Sequence, residues 1–61
     1  MGKNIGELFI DRVEEEVIAN QDIVTSGGVK DFADYRYRVG KIDGLQSALI
    51  EFEELLKKLG D

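Results

Sequence analysis

The stretch "VTSGGVKDFADY", residues 24–35, separates two segments that each have a helical pattern. Gly27 or Gly28 can adopt the left-handed backbone conformation that closes an α-helix. Asp31 then offers a side chain of the kind that caps a helix start, with Asp34 three residues later as the reciprocal acid of a capping box. The stretch therefore predicts one helix before it, a short turn, and a second helix after it.

The segment before the glycines has apolar residues at helical spacing: Ile5, Phe9 (with Leu8), Val13, Val17 and Val24. Asn4 followed by Glu7 has the form of a capping box, in which the Asn4 side chain satisfies a free amide of the first turn. These features predict helix 1 over about residues 5–25, about 30 Å long at 1.5 Å per residue.

The segment after Asp31 has a 3-4-3-4 apolar rhythm: Tyr35, Ile42, Leu45, Leu49, Phe52, Leu56 and Leu59. Only Arg38 interrupts it. Acid-to-base pairs four residues apart support a helix: Asp34–Arg38, Glu53–Lys57 and Glu54–Lys58. We predict helix 2 over about residues 32–59, and a turn of about five residues makes the helices antiparallel neighbours. The predicted fold is all-α, an antiparallel two-helix hairpin forming one domain over residues 1–61.

Composition narrows the classes of function. The chain has no cysteine and no histidine, which removes the commonest metal ligands and general bases. Glu14–Glu16 are consecutive, so their side chains splay about 100° apart and do not converge on one ion. No apolar run approaches the roughly 18 residues of a membrane span. We expect no enzymatic activity, no metal, no cofactor and no membrane insertion, and a cytoplasmic or particle-bound location.

The stretch "YRYRVGKIDG", residues 35–44, alternates tyrosine and arginine in the manner of a strand or a nucleic-acid patch. The alternation stops at Val39, and the net charge of −5 disfavours nucleic acid. In a hairpin that turns near residue 28, position i faces position 56 − i. Glu14–Glu16 and Asp22 then lie beside residues 36–41, so we expect charge matching between the helices.

Gly40, Gly44 and Ala48 form a stripe of small residues on helix 2. A glycine inside a helix costs about 1 kcal/mol relative to alanine, so two of them suggest that a neighbour needs the space. That neighbour is helix 1 of the same chain or a helix of another subunit. We favour helix 1, because Val13 and Val17 would lie at that level.

The end of helix 2 supplies a predicted protein-partner interface. If position i faces position 56 − i, the start of helix 1 at Asn4 lies near position 52 of helix 2. Four apolar residues then project past helix 1 and have few contacts within the chain: Phe52, Leu55, Leu56 and Leu59. Two helices share only one seam, and the remaining apolar surface must be hidden against another copy or another protein. Oligomerisation or partner docking is therefore expected to complete the fold.

The run "GGVKDFADYRYRVGKIDGLQSALIEFEELLKK", residues 27–58, resembles short helical-hairpin hypothetical proteins of tailed bacteriophages. The matching positions are Gly28, Asp31, Phe32, Ala33, Tyr35, Gly40, Ile42, Gly44 and Leu45. The resemblance implies a phage origin and a gene near those for head, portal or tail assembly, with a location in the virion or in the host cytoplasm. The expected function is that of a non-enzymatic, multi-copy virion structural or assembly protein. The alternatives are a small acidic inhibitor of a host protein and a homodimeric four-helix-bundle adaptor.

Overall fold

The computed structural model describes residues 2–60, which form two α-helices packed against each other, α1 (Ile5–Thr25) and α2 (Phe32–Gly60). Contacts pair the start of α1 with the end of α2, as in Phe9–Phe52, and the end of α1 with the start of α2, as in Asn20–Arg38. The predicted all-α antiparallel hairpin is confirmed. The helix bounds agree with the prediction, apart from one further residue at the end of α2.

The ends of α1 are closed by local hydrogen bonds. The Glu7 amide donates to Asn4 Oδ1 over 2.8 Å, and the Asn4 amide donates to Glu7 Oε1 over 3.1 Å, which confirms the capping box. At the other end, Gly27 has φ +80° and the Gly28 amide donates to the Ile23 carbonyl over 2.9 Å. This hydrogen bond closes a six-residue turn at the end of α1. Such a turn needs one residue in the left-handed backbone conformation, and that residue is Gly27.

Asp31 caps α2 as predicted, because its Oδ1 accepts a hydrogen bond of 2.8 Å from the Asp34 amide. The reciprocal arm differs from a regular capping box. Asp34 Oδ2 accepts from the amide of Lys30, one residue before the cap, over 3.1 Å. Asp34 Oδ1 also accepts a hydrogen bond from Arg38 Nε over 3.4 Å, which forms the predicted ion pair between residues four positions apart. Asp34 therefore joins the turn to the first two turns of α2.

The contact surface between the two helices, called the seam here, buries few residues. Val17 and Asn20 are the buried residues of the described part of the chain, and the rest of the seam is half-buried: Ile10, Val13, Ile42, Leu45, Leu49 and Phe52. The hairpin measures 45 × 24 × 12 Å, so its thickness is about that of one helix. Its radius of gyration is 14.2 Å, against about 10.5 Å for a compact domain of this length. The fold is a single layer of helices.

Candidate protein-binding site

An apolar surface lies where the start of α1 meets the end of α2. We call it the open-end patch, and its members are all exposed: Ile5, Leu8, Phe9, Leu55, Leu56 and Leu59. Ile5 and Leu59 are the most exposed, at 82% and 84%. Together the six side chains expose roughly 430 Å², taking ~120 Å² for one fully exposed large apolar side chain. That area is in the range of ~300–600 Å² for the largest apolar patch on a typical monomer, which is often functional.

The patch is organised around Phe9 and Phe52. Their rings meet edge to face with centroids 5.0 Å apart, which fixes α1 against α2 at this end. Ile5, Gly6, Phe9 and Phe52 line an open groove of about 280 Å³. A second groove of about 490 Å³ runs along α1 and shares Ile5 and Phe9 with the first. Both grooves are shallow and open to solvent, so they suit contact with another protein surface better than enclosure of a small ligand.

Of the predicted overhang of Phe52, Leu55, Leu56 and Leu59, Phe52 is wrong because it is half-buried, and Leu56 is right only in part because it contacts α1 while it stays 41% exposed. Phe52 contacts Phe9, and a Cβ added at Gly6 would lie 3.7 Å from Phe52 Cζ and 3.8 Å from Leu56 Cδ2. Phe52 and Leu56 therefore pack over the first turns of α1. Leu55 and Leu59 remain exposed on the same side of α2, since residues at i, i+3, i+4 and i+7 share a helix face.

The cause is the register of the hairpin. Facing positions sum to 58 for Asn20–Arg38 and to 61 for Phe9–Phe52, rather than to 56. The connection spans residues 26–31, and its first part is still hydrogen-bonded to α1 through Gly28. The turn is therefore centred after residue 28, and α2 is displaced by about one helical turn relative to the expected alignment. The apolar end of α2 becomes part of a face rather than a free tail.

The charges around the open-end patch nearly cancel. Residues 2–12 contain two cations and two anions, and residues 51–60 contain three anions and two cations. Lys3 Nζ forms a salt bridge with Asp11 Oδ2 beside the patch. The hydrogen bond to Asp11, and then its charge, raise the pKa of Lys3 above the ordinary value of 10.5. Residues 13–50, between these two segments, carry −3 of the net charge of −5.

The stripe of Gly40, Gly44 and Ala48 does not receive α1, so the favoured intrachain interpretation is wrong. A Cβ added at Gly40 or Gly44 would meet nothing within 4 Å, and Ala48 is exposed. At about 100° per residue, Gly40 and Gly44 lie well away from the seam residues Arg38 and Leu45. The stripe therefore lies on an outer side of α2, away from α1.

The expected charge matching between α1 and residues 36–41 is also absent from residues 2–60, where neither salt bridge joins the two helices. Arg38 instead donates from Nη1 to Asn20 Oδ1 over 2.9 Å, while Asn20 Nδ2 donates to the Glu16 carbonyl over 2.8 Å. The centre of the Tyr37 ring lies 5.8 Å from the Arg38 guanidinium and 5.9 Å from the Lys41 ammonium. Arg38 and Lys41 therefore contact an amide and an aromatic ring, and among residues 2–60 the one carboxylate paired with Arg38 is Asp34 of its own helix.

Asn20 is the structurally important residue that the pattern of apolar residues left out. It is 3% exposed and lies in the seam opposite Arg38. Its signal in the sequence is its position, three residues after Val17 and four before Val24, on the apolar stripe of α1. A polar residue on a buried stripe implies a polar partner, and Arg38 is the one polar interruption of the facing stripe.

Metal binding and membrane insertion have no support within the described residues. No group of three or more acidic side chains in residues 2–60 is arranged to hold a metal ion. Neither helix of this part is long and apolar enough to cross a membrane. The side of the seam away from the open-end patch has a shallow groove of about 360 Å³ lined by Glu14, Val17, Ile18, Gln21, Gln46 and Leu49.

Comparison with known proteins adds no relative. No protein-family model matches the chain, and neither a curated protein nor a solved structure is similar to it. The functional argument therefore depends on the geometry and chemistry of the hairpin itself.

Proposed function

We propose that this chain is a non-enzymatic structural or assembly protein of a bacteriophage particle. It acts in several copies as a helical hairpin on a head, portal or tail component, and the open-end patch is its protein–protein contact. The proposed role is geometric: apolar surface that one hairpin leaves exposed becomes buried against other protein chains, either further copies or the component on which they dock. The phage assignment derives from the resemblance of residues 27–58, and the interaction role from the exposed surface.

The observation that carries the proposal is the excess of exposed surface. The chain exposes 4947 Å², whereas a folded monomer of this mass exposes about 3,950 Å². The hairpin thus exposes about 1,000 Å² more than a self-sufficient domain of its size. Stable domains place a second layer of secondary structure against the first, and here that layer is missing within residues 2–60. Another protein surface is the natural source of the second layer.

The decisive experiment is quantitative mass spectrometry of purified particles together with the soluble fraction of infected cells. A structural component is expected in the particle at a fixed copy number relative to the portal protein. Absence from particles would overturn the phage structural role.

A second candidate function is supported by the charge of α1, which has six acids against one arginine, a net −5 over Ile5–Thr25. An acidic helix of this kind suits a small inhibitor that occupies a basic site of a host protein. The two candidate functions differ in how binding depends on salt and in where the protein is found. An inhibitor remains in the soluble fraction and loses its target as ionic strength rises, whereas apolar docking persists in salt.

A further inference from the structure

We infer that the open-end patch is covered by a second copy of this chain, so that the free protein is a homodimer with a two-fold axis at the open end. The inference rests on the proposed function only in treating the patch as a protein contact. It names the occupant, and it leaves the opposite side of the hairpin, with Ile18 and Ile50, available for a larger component.

Area is the first argument for a second copy. The patch exposes roughly 430 Å² of apolar surface. A stable interface of standard size buries about 800 Å² on each partner, of which ~55–65%, or roughly 450–520 Å², is apolar. The excess surface of about 1,000 Å² per chain is of the same size. One isologous contact between two open-end patches would therefore remove most of the surplus, without requiring a partner that is larger than the hairpin.

Charge is the second argument. Two proteins of net charge −5 repel each other, so a self-contact is disfavoured wherever that charge is concentrated. Residues 2–12 carry a net charge of zero and residues 51–60 carry −1, whereas Glu14–Glu16 in the middle of α1 carry −3. A contact at the open end therefore keeps the most acidic part of each copy away from the other.

The third argument is the pairing of helix ends. The patch combines the start of α1 and the end of α2, whose helix dipoles present opposite partial charges. A two-fold axis through the patch allows the start of α1 in one copy to face the end of α2 in the other. In an isologous contact this favourable pairing occurs twice. A surface of this composition is complementary to itself.

The first experiment is light scattering after size exclusion on the wild-type protein over a range of concentrations. Its chain mass is 6.8 kDa, and the expected species has twice that mass. A species of single-chain mass at every concentration overturns the inference. Particle mass spectrometry separates the two proposals, since a monomer that is present in virions refutes only the dimer, and a dimer that is absent from virions refutes only the structural role.

Matched variants then locate the contact. Leu55→Glu with Leu59→Glu places two acids in the open-end patch, and Ile18→Glu with Ile50→Glu places two on the opposite side of the hairpin. All four leucines and isoleucines are more than half exposed, so neither pair fills or empties a core. We expect the first pair to weaken dimerisation at least tenfold and the second to leave it unchanged. The reverse result would place the contact on the other side and refute the inference.

Charge reversal keeps the test valid if an altered chain is unfolded by itself. The partner variant carries Leu55→Lys with Leu59→Lys, and it is mixed with the Leu55→Glu, Leu59→Glu chain. We expect the equimolar mixture to recover the helical signal and the double mass, because unlike charges then face each other across the two-fold axis. A mixture that behaves as the sum of its components shows that the patches do not meet, and refutes the proposal.

Discussion

The hydrogen bond between Asn20 and Arg38 offers the sharpest test of how the two helices are held together. Asn20→Ala removes a 2.9 Å bond to a guanidinium in a seam where Asn20 is 3% exposed. Hydrogen bonds to charged groups contribute about 1.5–3 kcal/mol. Water recovers part of this loss, because the Arg38 side chain is 29% exposed, and alanine regains up to about 0.7 kcal/mol of helix propensity. The expected loss of unfolding free energy is about 1–2 kcal/mol.

A double-mutant cycle isolates the contact from these side effects. The variants are Asn20→Ala, Arg38→Met and their combination, and unfolding in urea is followed by far-UV circular dichroism at one fixed protein concentration. We expect a coupling of about 1 kcal/mol between the two substitutions. The control cycle replaces Arg38→Met by Arg36→Met at an exposed position of the same helix. A coupling below about 0.3 kcal/mol at Asn20–Arg38, or an equal coupling in the control, would refute the role assigned to this bond.

Three further predictions concern the backbone and the N-terminal salt bridge. Gly40→Ala and Gly44→Ala should each raise the unfolding free energy by about 1 kcal/mol in thermal melts, because an added Cβ meets open space; a loss of stability would show that a neighbour occupies that space. Gly27→Ala should lower the unfolding free energy in urea by about 1–2 kcal/mol, because φ is +80° there; an unchanged midpoint would contradict the strain. The pKa of Lys3 is raised by Asp11, so the salt bridge stabilises the folded protein below about pH 10.5, and this contribution is lost as pH rises through the folded-state pKa of Lys3. Asp11→Asn should therefore reduce the change in melting temperature over that pH range. A pH profile identical to that of the wild type would exclude the salt bridge.

The local structure of this hairpin could be predicted because each helix end carries its own chemistry. Asn4 with Glu7 defines the start of α1, Gly27 its end, and Asp31 the start of α2. These signals act over three to five residues, so they are visible in the sequence without knowledge of the fold. The helical bounds were accordingly predicted to within one residue.

The candidate site could be predicted only in part, because it depends on how the helices are aligned. Leu55 and Leu59 were expected to be exposed and are, whereas Phe52 and Leu56 pack against α1. The helical spacing of apolar residues includes Ile5 and Phe9 but does not show that they form the α1 side of the open-end patch. The exposure of these residues follows from the thinness of the fold, which appears only when the two helices are placed together.

The alignment itself was missed because an apolar stripe carries little information about register. When one helix slides by a turn along the other, apolar residues still meet apolar residues, and the burial energy changes little. A polar residue in each stripe removes that ambiguity, since a buried amide or guanidinium needs a hydrogen-bond partner at its own level. Under the expected alignment Arg38 would face Ile18, which accepts no hydrogen bond. Its actual partner is Asn20, two residues along the chain. The Asn20–Arg38 pair therefore selects the register, and the register in turn places Phe52 against Phe9 and creates a broad apolar face at the open end. A residue in the middle of the seam thus determines the shape of the surface proposed to bind a second copy.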